Sequence, residues 1–113
     1  TGENMSQPIS SLTGYSTSDY NADQNLRNIL EMHIHYIRHH ESTYLHTVDQ
    51  GAAMPYFYNL YAYLHHIGLN SKLFWVIMQI NDLKGMEDFN RTTTSLLIPD
   101  LGLIEEIIAM GKS

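Results

Sequence analysis

Apolar and polar positions alternate with a helical period in the middle of the chain. In residues 54–68, MPYFYNLYAYLHHIG, the apolar positions at helix spacing are Phe57, Leu60, Tyr61 and Leu64. Pro55 suits the first turn of a helix, and Gly68 suits its end. The pattern therefore predicts a helix over this segment.

A second helix is predicted over residues 71–82, with Asn70 or Ser71 as its N-cap. Its core stripe consists of Leu73, Val76, Ile77 and Ile80. Phe74 and Met78 form another apolar stripe beside the first, and Trp75 extends the apolar surface further. A surface helix normally has a polar face, so this helix needs cover on a second side.

Strand patterns flank the two helices. Residues 43–48 and the short run SLLIP, which Pro99 stops, predict one strand each. Residues 30–37 alternate between apolar and polar, which predicts a strand after a helical turn near 24–29, and that strand would form a hairpin with 43–48. A helix running to Ile37 is the alternative.

The two ends of the chain differ in composition. Residues 1–24 are rich in Ser, Thr, Asn, Gln and Gly, and indicate either a disordered tail or an extended arm that becomes ordered on a partner. Residues 25–42 connect this arm to a core over 43–99 and supply the hairpin strand. Asp100 can cap a last helix within 100–113, whose apolar side carries Leu103, Ile104, Ile107 and Ile108.

Composition excludes several function classes. The 113 residues carry a net charge of −6, and the six Lys and Arg are scattered, so we expect no nucleic-acid partner. The chain has no Cys, which excludes thiolate chemistry and disulfides. No apolar run approaches the roughly 20 residues that span a bilayer, so we expect no membrane partner. No phosphate loop or nucleophile elbow occurs, so we expect neither enzyme activity nor a cofactor.

The order strand, helix, helix, strand resembles the LysM domain over about residues 43–99, within an α+β fold that adds an N-terminal arm or hairpin and a C-terminal helix. The matching residues are Tyr44, Thr47, Val48, Gly51, Leu60, Ala62, Gly68, Trp75, Ile77, Asn81, Leu97, Ile98 and Pro99. The segment GLNSKLFWVIMQINDL is similar to LysM-like baseplate proteins of contractile-tailed bacteriophages. This resemblance implies a β-α-α-β core.

The resemblance also implies a structural function in the virion tail or baseplate, after synthesis in the host cytoplasm. The expected partners are other tail and baseplate proteins, with several copies in a symmetric assembly. The alternative is a LysM module that binds peptidoglycan in a groove along 51–54 and 82–85. Ala52 and Ala53 stand where sugar-binding members carry an acidic and a hydroxyl residue, and RTTTS replaces the usual Pro–Gly turn, which favours the structural function.

Excess apolar and aromatic surface on the helices predicts the protein contacts, since Tyr and Trp are enriched at interfaces. Tyr side chains surround the first helix, and the last two helices carry apolar residues beyond one core stripe. The predicted interface residues are Tyr58, Tyr63, Phe74, Trp75, Met78, Ile104, Ile107 and Ile108.

Seven histidines raise the question of a metal site. His33, His35 and His46 would converge if the hairpin formed, and three imidazoles suit zinc. His35 and His39 are also spaced four residues apart. The alternative is that these are surface histidines on a polar strand face.

Overall fold

The computed structural model describes residues 24–112, which form several helices and one short sheet. Of the arm predicted over residues 1–24, residues 1–23 lie outside the described residues, and Gln24 begins the first helix. In chain order, the α-helices and strands are α1 Gln24–Glu31, α2 Ile34–His39, β1 Tyr44–Thr47, α3 Gln50–Ala53, α4 Leu60–His66, α5 Phe74–Ile80, β2 Ser95–Ile98 and α6 Leu101–Lys112. Short 3-10 turns cover Met54–Tyr56, Ser71–Leu73 and Met86–Asp88.

Strands β1 and β2 pair antiparallel and join distant parts of the chain. Tyr44 lies opposite Ile98, and Thr47 lies opposite Ser95. Both strands fall where the sequence predicts them, at 43–48 and at SLLIP. The result is a small α+β domain, which confirms the coarse fold class.

The strand and hairpin predicted over residues 30–37 are wrong. The chain forms α1 up to Glu31, turns at Met32 and His33, and continues as α2. This turn explains the misleading alternation. Leu30 and Ile37 are both buried although they lie on different helices, while Met32 and Tyr36 point to solvent. Two short helices with a break between them thus produce an alternation of apolar and polar residues that is also typical of a strand.

The helix predicted over 54–68 is shorter than expected. Pro55 lies in a 3-10 turn, and the chain leaves helical geometry at Phe57 and Tyr58. Helix α4 begins only at Leu60, where the Asn59 side chain accepts a hydrogen bond from the backbone N–H of Ala62. Gly68 follows the helix with φ at 88°, a left-handed conformation that glycine adopts without strain.

The caps of the later helices agree with the sequence. The Asn70 side chain accepts from the N–H of Lys72 and starts the turn that leads into α5. The Asp100 carboxylate accepts from the N–H of Leu103 and starts α6. Local side-chain hydrogen bonds therefore start the turn before α5 and the helix α6, while α5 itself begins at Phe74 without a side-chain cap.

One core connects the α-helices and β2, while β1 contributes no side chain to it. Its largest fully buried side chains include Leu30 of α1, Ile77 of α5, Ile98 of β2 and Ile104 of α6. Phe89 is also fully buried, although it lies in the connection before β2 that the sequence indicates as a plain loop. Its ring stacks on Tyr63, with 4.8 Å between the ring centroids. The connection is therefore anchored to α4 by an aromatic contact.

Candidate binding surfaces

Six of the eight predicted interface residues are buried within the chain itself: Tyr63, Phe74, Trp75, Ile104, Ile107 and Ile108. The premise that their apolar surface lacks cover within the chain is therefore wrong.

The second apolar side of α5 is covered by the two ends of the described chain. The Arg27 guanidinium of α1 lies 5.6 Å from the centroid of the Trp75 ring, a cation–π geometry. Helix α6 packs on α1 and on the turn Ser71–Leu73 that leads into α5. Residues 25–42, predicted as a connection, and residues 100–113, predicted as an added helix, therefore contribute to the core.

Tyr58 and Met78 are the predicted interface residues that retain solvent exposure. Tyr58 is 64% exposed, and Met78 is half-buried. Other large apolar side chains that were not predicted as interface residues are also exposed, among them Tyr44 and Leu45 on β1. Surface that is both apolar and exposed is a candidate for contact with another molecule.

The outer edge of β1 is open along the described chain. The N–H of Val48 donates to Thr94 O at 3.0 Å, and bonded pairs alternate along an antiparallel ladder. Tyr44 and His46 therefore direct their backbone groups toward β2, whereas Leu45 and Thr47 direct theirs away. Within residues 24–112, no group hydrogen-bonds to the backbone of Leu45 or Thr47 outside the ladder. Leu45 is also 61% exposed.

The outer edge of β2 is closed by a side chain. The Asn81 amide donates to Leu97 O at 3.0 Å and accepts from the N–H of Leu97 at 2.8 Å. The same amide donates to Ile77 O at 2.7 Å, near the end of α5. Asn81 thus takes the place of a third strand at Leu97. Among residues 24–112, the edge of β1 therefore keeps the unpaired backbone groups of Leu45 and Thr47 for another strand.

A pocket of about 470 Å³ lies beside the connection that follows β1. Its lining residues are Gln50, Gly51, Met54, Phe57, Tyr58 and Arg91. The Gln50 amide donates to Thr93 O at 2.9 Å, which joins the segment after β1 to the segment before β2. The pocket combines apolar and aromatic walls with an amide and a guanidinium, as small-ligand sites often do.

Tyr58 holds a strained backbone conformation at this pocket. Its φ is 71°, which is unusual for a bulky side chain. The N–H of Tyr58 donates to Phe89 O at 2.6 Å, and this bond fixes the conformation. Strained residues of this kind cluster at binding sites. Neither the strain nor the contribution of Phe57 and Arg91 has a signal in the sequence pattern.

The two walls predicted for a glycan groove line two different pockets. Gly51 and Met54 line the pocket, in agreement with the first predicted wall at 51–54. No residue of the predicted second wall at 82–85 lines this pocket, whereas Arg91 does. Asp82, Leu83 and Lys84 line a separate pocket of about 380 Å³ with Gln79.

Strand β1 is attached to α4 by one polar contact. His46 Nε2 lies 2.7 Å from the hydroxyl oxygen of Tyr63. Burial raises the pKa of the Tyr63 hydroxyl above its ordinary value of about 10, and the negative charge of Asp49 raises it further. The hydroxyl therefore remains protonated at neutral pH and can hydrogen-bond to the imidazole.

The proposed convergence of His33, His35 and His46 is wrong. Without the hairpin, His33 stands at the break between α1 and α2, where its Nδ1 lies 2.9 Å from Ile29 O. His46 contacts Tyr63 on another element. Across residues 24–112, no three His, Asp or Glu side chains are grouped to hold a metal ion.

Comparisons with known proteins give no relative: no family model, no curated protein and no solved structure matches the chain. None of the helices within residues 24–112 is long and apolar enough to cross a membrane.

Proposed function

We propose that this chain is a structural component of a contractile-tailed bacteriophage virion. It would join neighbouring tail or baseplate proteins through a LysM-like domain. The observation that carries the proposal is the open edge of β1 on a sheet whose other edge Asn81 closes. The resemblance of GLNSKLFWVIMQINDL to baseplate proteins supplies the biological setting.

The arrangement of the core supports the LysM-like part of the proposal. Between β1 and β2 the chain runs through the short helix α3 and then through α4 and α5, and the strands pair antiparallel. Asn81 and Leu97, two positions of the resemblance, bond to each other. Trp75 and Ile77, two more, are buried. These four of the residues that carry the resemblance thus have structural roles in the domain.

The open edge supports the protein-binding part. An extended segment of a partner could add a strand to β1 through the N–H and C=O groups of Leu45 and Thr47. Native proteins commonly protect exposed edges with Lys or Pro, and the β1 sequence YLHT contains neither. Tyr44 and Leu45 are both exposed, which gives a partner apolar contacts beside the backbone bonds.

Co-purification from infected cells tests this function. Tagged full-length chain would be isolated from cells infected with a contractile-tailed phage that encodes it, and bound proteins identified by mass spectrometry. We expect tail or baseplate proteins with the unaltered chain, and their loss with Leu45→Lys, which places a charge on the edge. Met110→Lys is the matched control, because Met110 is equally exposed, at 61%, but lies on α6.

Two results would contradict the proposal. One is that no tail protein is recovered with the unaltered chain. The other is equal recovery with Leu45→Lys, which would remove the β1 edge from the contact. Circular dichroism of each variant would verify that folding is unchanged.

A second candidate function is binding of a peptidoglycan fragment in the pocket beside α3. The pocket favours it, because Tyr58 and Met54 offer apolar surface to a sugar ring, while Gln50 and Arg91 offer hydrogen-bond donors. Ala52 and Ala53 add no polar side chain to this segment.

Sedimentation with purified peptidoglycan separates the two functions. Binding that Tyr58→Ala and Arg91→Ala both abolish would support the glycan function. Lys84→Ala is the control, because Lys84 lines the other pocket. A chain that stays in the supernatant would exclude peptidoglycan as the ligand.

A further inference from the structure

A pair of exposed histidines on α2 has geometry that suits a metal ion. His35 and His39 lie four residues apart in one helix, and such residues share a face. Their ring centroids are 4.5 Å apart, with the planes tilted by 58°. Two imidazoles at this spacing on one helix face supply two of the zinc ligands in known metalloprotease sites.

The ring nitrogens of this pair are available. Other histidines of the described chain use theirs: His40 Nδ1 lies 2.7 Å from Ser42 Oγ, and His66 Nδ1 lies 3.1 Å from the Tyr56 hydroxyl. Within residues 24–112, neither His35 nor His39 is among the residues whose side chains form hydrogen bonds. Both side chains are exposed, so an ion can reach them directly.

The charge near the pair does not oppose a cation. Arg38 is the one Lys or Arg in α2, and its side chain turns toward α5. Its Nε donates to Ile80 O at 2.8 Å, and its guanidinium pairs with the Asp82 carboxylate at 3.1 Å. This positive charge is therefore compensated on the α5 side of the helix.

We propose that His35 and His39 together bind one divalent transition-metal ion of the zinc and copper class. The two imidazoles supply two ligands, and water fills the remaining positions of the ion. This pair replaces the set of His33, His35 and His46. It does not depend on the proposed tail function.

Titration calorimetry of the untagged full-length chain with Zn²⁺ and Cu²⁺ tests the inference. The absence of a histidine tag is essential, and a mildly alkaline buffer keeps imidazole in the neutral form that ligates metals. We expect saturable binding of one ion per chain, tighter for Cu²⁺ than for Zn²⁺. Bound Cu²⁺ should show nitrogen hyperfine splitting in its electron paramagnetic resonance spectrum.

Four single variants assign the ligands. His35→Ala and His39→Ala should each abolish saturable binding, whereas His33→Ala and His65→Ala should retain it. His65 is the matched control, since it is also an exposed helical histidine. Absence of saturable binding in the unaltered chain would overturn the inference. Retention of binding in His35→Ala or His39→Ala would also overturn it, as would loss of binding in either control.

Discussion

Strands β1 and β2 have the same length and bond to each other, yet their surroundings differ. On β2, Leu96 and Ile98 are buried, and Asn81 closes the outer edge. On β1, Tyr44 and Leu45 are exposed, and the outer edge is open along the described chain. The comparison separates two roles within one sheet: β2 stabilises the domain, and β1 offers a surface.

The largest expected effect comes from the buried strand. Ile98→Ala should lower the free energy of unfolding by about 2–5 kcal/mol, because it leaves a cavity in a core where Ile98 is 1% exposed. Leu45→Ala on β1 should change it by about 0.5 kcal/mol or less. Denaturant titration measures both, and equal losses would erase the distinction between the strands.

The second largest loss of stability is expected when the Asn81 side chain, which closes the edge of β2 at Leu97, is removed. Asn81→Ala should cost about 2 kcal/mol, because the N–H and C=O of Leu97 lose their partner in a partly buried place. Asn70→Ala, which removes only an exposed capping bond, should cost about 1 kcal/mol. If the two variants were equally stable in denaturant, Asn81 would be an ordinary cap rather than a substitute strand.

The contact between β1 and α4 should have a smaller effect that depends on pH. Tyr63→Phe removes the hydroxyl beside His46 and should cost about 1 kcal/mol at neutral pH.

The raised pKa of Tyr63 fixes the direction of the pH dependence. Above pH about 10 the unfolded chain loses the Tyr63 proton before the folded chain does, so the stability of the unaltered chain should fall. Tyr63→Phe should lack this part of the fall. Identical pH profiles from denaturant titration above pH 9 would contradict the assignment to Tyr63, since ordinary tyrosines titrate near about 10.

The smallest effect concerns the strained residue beside the pocket. Tyr58→Gly should be about 1 kcal/mol more stable than Tyr58→Ala, because glycine adopts a positive φ without the cost that a Cβ imposes. Thermal unfolding compares the two variants, and both remove the aromatic wall. A more stable alanine variant would show that the conformation at position 58 is unstrained.

Local signals in the sequence were sufficient for much of the fold. The strands around Leu45 and Leu97, the stop at Gly68 and the cap at Asp100 each depend on a few neighbouring residues, and the structure has all of them. Residues 30–37 also show a local pattern, the alternation typical of a strand. The chain there instead forms two helices, which are separated by a turn at Met32 and His33.

The candidate surfaces depend on distant parts of the chain and were less predictable. Trp is a residue type that is enriched at interfaces. The ring of Trp75, however, is covered by Arg27, which lies on a helix nearly 50 residues away in sequence. Arg91 reaches the pocket from the connection before β2. Tertiary packing decides whether an apolar side chain is covered. The periodicity of one segment carries no information about the distant residues that pack against it.

Amide hydrogen exchange of the isolated chain, measured by NMR residue by residue, tests the difference between the strands most directly. We expect fast exchange at Leu45 and Thr47, whose N–H groups face away from β2, and slow exchange at Leu97, whose N–H donates to Asn81. Slow exchange at Leu45 and Thr47 would show that the β1 edge is already covered, and would contradict its role as the surface offered to a partner.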